Sequence, residues 1–174
     1  MQNHVPSPSG QAVAGQEHPI TPDQVSAVLD QLPEVEGPLL PALHALVEAF
    51  GHVPEGSVPA LATRFNLSRA EVLGVITFYH DFRQSPPGRH VLKLCRAEAC
   101  QSVGGAGMAE ELLKRLGLGW GETAADGSLT VEPVYCLGLC ACGPAALLDG
   151  APIGRLTPAR LESMADACAR RDAA

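Results

Sequence analysis

Four of the six cysteines in this chain fall in two short words, and they are the residues best placed to do chemistry. Cys95-Arg96-Ala97-Glu98-Ala99-Cys100 is a C-x4-C segment, and Cys136-Leu137-Gly138-Leu139-Cys140 is a C-x3-C segment. Each follows a stretch that reads as a β-strand, so two thiolate pairs on two loops can converge on one metal centre. Both loops are rich in small residues: Ala97, Ala99, Gly104 and Gly105 around the first, and Gly138, Ala141 and Gly143 around the second. Small residues let backbone N–H groups approach sulfur, and such hydrogen bonds, together with burial, tune an iron–sulfur centre. A structural zinc site competes with this reading. Zinc also accepts four thiolates, with pair spacings of two to four, although its commoner C-x2-C knuckle is absent here. Disulfides or unconnected core cysteines are the remaining alternatives. Colour separates the metals, because a zinc protein is colourless and an iron–sulfur protein absorbs visible light.

The neighbours of these four have their own readings. Cys142 stands two residues after Cys140, where it is either a ligand in its place or a small residue packed beside the site. Cys168 shares a helical face with Leu161, Met164 and Ala165, which reads as core packing. Arg96 is the cation nearest the ligand candidates in sequence, either aimed at the sulfurs or solvated. A thioredoxin-type redox site needs C-x-x-C, and the chain has none.

The elements that must position these residues fall into two halves. Residues 1–19 are polar and rich in Pro, Gly and Ser, and read as a disordered tail. Thr21-Pro22-Asp23-Gln24 is a helix start, with Thr as N-cap, Pro at the first helical position and Gln closing a capping box. Val25, Val28, Leu29 and Leu32 follow at helical spacing until Pro33 and Gly37-Pro38. Leu39, Leu43, Leu46, Val47 and Phe50 mark a second helix that Gly51 ends. A third covers residues 57–65. A fourth opens at Ser68, with Glu71 completing its capping box, and carries Val72, Val75, Ile76 and Tyr79. Pro86-Pro87-Gly88 cuts the chain. Beyond it, residues 90–94 read as a strand. Met108, Leu112, Leu113 and Leu116 lie on one helical face, and residues 129–134 form a second strand. Pro133 suits an edge or a strand end. Residues 145–148 and 153–156 flank Asp149-Gly150-Ala151-Pro152, read as a hairpin turn. Thr157-Pro158 starts a last helix. The order β-α-β-β-β-α suits a small α/β sandwich, and the whole chain is α+β.

Composition excludes some functions. Nineteen acidic against twelve basic residues give a net charge of −7, the wrong balance for a phosphate backbone, although Arg83, Arg89, Lys93 and Arg96 form a local basic stretch. Residues 58–79 have the outline of a helix-turn-helix. Its second helix offers Val, Leu, Ile, Phe and Tyr where base reading needs Arg, Asn or Gln, so no nucleic-acid partner is expected. No apolar run reaches the ~18–20 residues that span a bilayer, and the N-terminus lacks a secretory pattern. The expected location is the cytoplasm, where disulfides are rarely structural and metal binding better explains six cysteines.

At residues 95–105 and 135–144 the sequence resembles the small iron–sulfur subunit of NADH-oxidising complexes, found in respiratory complex I and in related hydrogenases and formate dehydrogenases. The resemblance runs from about residue 20 to 165 and maps that family's four cluster ligands onto Cys95, Cys100, Cys136 and Cys140. It implies an N-terminal helical bundle over residues 20–86 and a thioredoxin-like [2Fe–2S] domain over residues 87–170. Arg96 and Cys142 then flank the ligands, and no residue of this chain is catalytic. The words GVITFYHDFRQ, CRAEACQSVG and CLGLCACGP most resemble the gamma subunit of soluble, molybdenum-containing, NAD-dependent formate dehydrogenases. That likeness implies a flavoprotein partner carrying FMN and the NAD site. It also implies a large subunit with a molybdenum cofactor, and further iron–sulfur clusters in the partners.

Overall fold

The computed structural model describes residues 20–170; the tail expected over residues 1–19 lies outside them. The chain divides into two compact units between Pro86 and Pro87.

The first unit contains four helices, α1 (Pro22–Leu29), α2 (Leu39–Phe50), α3 (Ser57–Phe65) and α4 (Arg69–Phe78). Both expected capping boxes form. The Thr21 hydroxyl accepts the Gln24 N–H at 3.3 Å while the Gln24 side chain accepts the Thr21 N–H at 2.8 Å. The Ser68 hydroxyl accepts the Glu71 N–H at 3.2 Å, and the Glu71 carboxylate accepts the Ser68 N–H at 2.8 Å. These bonds satisfy N–H groups that have no partner inside the helix, worth about 1 kcal/mol per cap. The backbone and hydroxyl bonds from Ser68 hold the Glu71 carboxyl below the usual carboxylate range. Leu29, Leu43, Leu46, Leu61, Val72 and Ile76 bury in one apolar cluster. Helix α4 also leaves Leu73 and Phe78 exposed, Phe78 at 73%. Tyr79, expected on this helix, is exposed too but is found in extended conformation as its C-cap.

The second unit is built on four strands, β1 (His90–Cys95), β2 (Leu129–Val134), β3 (Ala146–Leu148) and β4 (Ala151–Ile153), in the order β2-β1-β3-β4. Strand β1 runs parallel to β2 and antiparallel to β3. Helices α5 (Glu98–Ser102) and α6 (Gly105–Leu116) connect β1 to β2, and α7 (Pro158–Arg170) follows β4. Alternation along β1 buries Leu92 and Leu94 against Leu112 of α6 and Leu161, Ala165 and Cys168 of α7. Lys93, between them, pairs with Glu132 across β2 at 3.8 Å. With Lys93 on Glu132, Arg89 bonded to the Asp126 carbonyl and Arg96 stacked on Trp120, the basic stretch is divided among separate partners.

Pro133 lies in an edge strand, as its missing N–H requires. The hairpin differs from expectation. Its turn is only Asp149-Gly150, both at positive φ (50° and 81°), and Ala151 already pairs with Leu148. Two residues at positive φ give the turn whose twist matches a hairpin. Pro152, expected in the turn, sits in the edge strand β4 opposite Leu147. The Asp149 carboxylate accepts the Val91 N–H at 2.8 Å and contacts the His90 ring at 2.7 Å, tying the turn to the start of β1.

Candidate metal centre

The sheet places the two cysteine words side by side. Cys95 is the last residue of β1 and pairs with Val134, the last of β2. The ladder continues one residue further, where Arg96 N–H donates to the Val134 carbonyl at 2.8 Å. The C-x4-C and C-x3-C segments therefore leave the same end of adjacent parallel strands. Helix α5, too short to show periodicity in the sequence, then turns Cys100 inward. Its N–H donates to the Ala97 carbonyl at 2.9 Å.

The four thiols form two contacting pairs. Cys95 and Cys100 pack together in one buried cluster, and the Cys136 and Cys140 sulfurs lie 4.0 Å apart. The first pair is buried, at 7% and 2%, and the second is exposed. Among the described residues no three metal-ligating side chains gather around one ion position. Cys136 has φ 82°, which only a few per cent of non-glycine residues adopt. In that conformation its sulfur receives the Gly138 N–H at 3.5 Å.

The protonation of these thiols shows how tightly they interact. Burial pushes the Cys95 thiol up. The Ala97 backbone, the Cys100 thiol and the Cys136 and Leu137 backbones outweigh it, so Cys95 sits below an ordinary thiol. Cys100 is pushed up, first by burial and then by its bond to Cys95, with the charges of Cys95 and Cys140 adding to the effect. Cys140 is also pushed up, chiefly by its bond to Cys136 and that sulfur's charge. Thiolates brought close together repel one another, and positive charge between them relieves that repulsion. The donor set fits iron in this respect: soft thiolates, backbone amides directed at sulfur, and mutual repulsion that cationic iron relieves.

The flanking residues are placed as follows. Arg96 lays its guanidinium over Trp120, 4.9 Å from the ring centroid. Trp120 is itself packed against the core of the second unit. The sequence carries no signal for this pair, since twenty-four positions separate residues 96 and 120. Cys142 is half-buried and belongs to the 3-10 turn Cys140–Cys142. Its N–H donates to the Leu139 carbonyl at 2.8 Å, and its carbonyl accepts the Arg155 N–H at 2.6 Å. Cys168 is core, as its helical face indicated.

A sequence profile described as thioredoxin-like [2Fe–2S] ferredoxin matches residues 25–169. The chain belongs to that family. Among its relatives, a subunit of the NADH-quinone oxidoreductase of Pseudomonas aeruginosa is 37% identical over 117 residues, covering 67% of this chain and 70% of that protein. A subunit of the NADP-reducing hydrogenase of Solidesulfovibrio fructosivorans is 26% identical over 152 residues, covering 85% and 89%. A solved NAD+-reducing [NiFe]-hydrogenase in the air-oxidized state superposes with a TM-score of 0.64 at 30% identity, over 78% of this chain. The match covers 23% of that solved chain, so this fold is there one part of a much longer polypeptide. The thioredoxin-like [2Fe–2S] ferredoxin family thus supplies subunits of multi-subunit oxidoreductases, and a [2Fe–2S] cluster is the group it is named for. Among the described residues no helix is long and apolar enough to cross a membrane.

Proposed function

We propose that this chain is the electron-carrying subunit of an NAD-linked oxidoreductase, with Cys95, Cys100, Cys136 and Cys140 holding one [2Fe–2S] cluster. The observation that carries the proposal is the pairing of one buried and one exposed cysteine pair at a single sheet end. Two thiolates per iron match two pairs, and the family to which the chain belongs is described by that cluster. When bound, such a cluster takes up and releases one electron at a time. The exposed pair leaves the centre open to a partner. This division of labour, a carrier here and chemistry elsewhere, fits a flavoprotein partner with FMN and NAD.

The parent complex we favour is a cytoplasmic, molybdenum-containing, NAD-dependent formate dehydrogenase, on the three sequence words given above. Its large subunit would carry the molybdenum cofactor and further iron–sulfur clusters. A respiratory complex I or an NAD-reducing hydrogenase fits the relatives equally well. Purification of the chain, with iron and sulfide assays and an EPR spectrum after reduction, tests the cluster. Two irons and two sulfides per chain are expected, and zinc in their place rejects the reading. Flavin and molybdenum in the copurifying subunits decide the parent complex.

Two expected results follow for residues outside the ligand set. Reduction adds negative charge, so a cation held next to Cys95 favours the reduced form. Arg96→Ala should lower the potential by a few tens of millivolts. The scale follows from about 1 kcal/mol or less for a screened charge near the surface, against ~59 mV per tenfold change in a one-electron equilibrium. An EPR-monitored redox titration reads it, and an upward shift would contradict the sign. The second result concerns the end of α4, where exposed Leu73 and Phe78 and the following Tyr79 suit a subunit contact. Leu73→Glu with Phe78→Glu should weaken assembly about tenfold or more, the scale of losing one interface anchor. The visible spectrum of the isolated chain should not change. Unaltered copurification of the subunits would reject this surface.

A further inference from the structure

We infer that Gly105 and Gly154 are positioning residues for the cluster, each occupying a place where a side chain would displace a cysteine-bearing segment; the inference rests on the ligand reading above. Neither glycine has a positive φ, so neither is explained by backbone conformation. Both are explained by space. A Cβ on Gly105 would stand 2.6 Å from the Cys100 carbonyl oxygen and 3.1 Å from its carbon. A Cβ on Gly154 would stand 2.9 Å from the Cys142 carbonyl oxygen and 2.9 Å from the Cys142 Cβ. These are mostly backbone atoms, which cannot swing aside as a flexible side chain can.

The two glycines close on the site from different directions. Gly105 is the first residue of α6 and lets that helix start directly against Cys100. Gly154 follows β4 and lets the chain lie against the Cys140–Cys142 turn, where the next N–H, of Arg155, bonds the Cys142 carbonyl at 2.6 Å. Leu156 N–H then bonds the Pro144 carbonyl at 3.0 Å. Cys142 therefore has a role that needs no metal: its Cβ and carbonyl are the surface against which Gly154 and Arg155 brace the Cys140 turn. A shift of a few tenths of an ångström at Cys100 or Cys140 changes sulfur placement, and ligand geometry governs how a metal centre is held.

Two other glycines supply controls within the same unit. Gly88 is also crowded, its Cβ position 3.0 Å from the Gly127 carbonyl oxygen, but it precedes the far end of β1. Gly107 lies within α6, near the site, with nothing within 4 Å of its Cβ position. The test is four alanine substitutions in the full-length chain, read by iron and sulfide per chain, EPR line shape and melting temperature. Gly105→Ala and Gly154→Ala should lose at least about half of the iron, or keep it with shifted EPR g-values. Gly88→Ala should lower the melting temperature but keep full iron and the wild-type spectrum, and Gly107→Ala should keep full iron and spectrum with an equal or higher melting temperature. Full iron and an unchanged spectrum in both Gly105→Ala and Gly154→Ala overturn the inference. So does equal iron loss in Gly88→Ala, which would make crowding anywhere in the unit sufficient. If one site variant does not fold, the other decides. If neither folds while Gly88→Ala does, the positions serve folding and the inference is rejected. A wild-type chain without iron and sulfide removes the ligand reading itself, and this inference with it.

Discussion

Serine at Cys136 is expected to abolish or strongly alter the visible absorption of the purified chain, with no loss of stability beyond that of losing the cluster itself. Cys136 and Cys140 are exposed, so a hydroxyl replacing either thiol stays in water and has no burial cost. A change of colour at these positions therefore reports ligation alone. Serine at Cys95 or Cys100 should also remove the absorption, but with a second effect. Cys100 is 2% exposed and packs with Cys95 and Ala145, so a hydroxyl there is buried without an assured partner. That penalty is about 1–3 kcal/mol. Colour is lost in both pairs, and the melting temperature should fall further in the first than in the second, where only the cluster's own contribution is lost. Cys142→Ser and Cys168→Ser should retain a [2Fe–2S] spectrum. Cys142 offers its Cβ to the Gly154 side, and Cys168 is part of the helical core. The decisive comparison is Cys140 against Cys142: if Cys142→Ser loses the cluster while Cys140→Ser keeps it, the ligand assignment is wrong. Absorption and EPR spectra of the six single variants make the comparison.

The parts of the molecule legible in the sequence are those written in local chemistry. The capping boxes at Thr21 and Ser68 show because a cap is a contact over three residues, and the glycine after Phe50 shows because a helix end needs a left-handed residue. Pro133 marks the edge strand because a missing N–H is a property of one residue. The thiolate pairs are visible for the same reason, although not their asymmetry of burial, which depends on the whole sheet. Other features are tertiary. The stack of Arg96 on Trp120 joins the end of β1 to the loop after α6. The left-handed Cys136 is a conformation that no side chain announces. The tight Asp149-Gly150 turn is obscured because Pro152 looks like part of it, when the edge position of β4 makes proline harmless there. Gly105 and Gly154 look like loop glycines until the carbonyls facing them are known. The identity of the parent complex is not a folding property at all, since the same packing serves in several oxidoreductases.

Leu92→Ala should be the most damaging substitution in the second unit, and its effect should reach the metal. Leu92 is fully buried at the centre of the sheet, opposite Val131 of β2 and Leu148 of β3. Its side chain belongs to the cluster that α6 and α7 complete with Leu112 and Leu161. Removing it leaves a cavity between sheet and helices, which costs about 2–5 kcal/mol. A domain of this size has a stability on the order of 5–15 kcal/mol, so the loss is a large share of the total. Cys95 is three residues further along the same strand, so loosening β1 loosens a ligand, and cluster loss on heating should begin earlier. Leu46→Ala is the matched experiment in the first unit. Leu46 is also fully buried, among Leu29, Leu43 and Leu61, in an apolar cluster that shares no residue with the other. Its cost should be of the same order, about 2–5 kcal/mol. We propose that residues 20–86 and 87–170 are separate domains, so the visible absorption of Leu46→Ala should persist while helical circular dichroism is lost early. Thermal melts followed at both wavelengths compare the two variants. If Leu46→Ala bleaches the cluster at the temperature where its helices melt, the units unfold together and the division into domains fails. If Leu92→Ala melts like wild type, β1 is not the strand that holds the sheet.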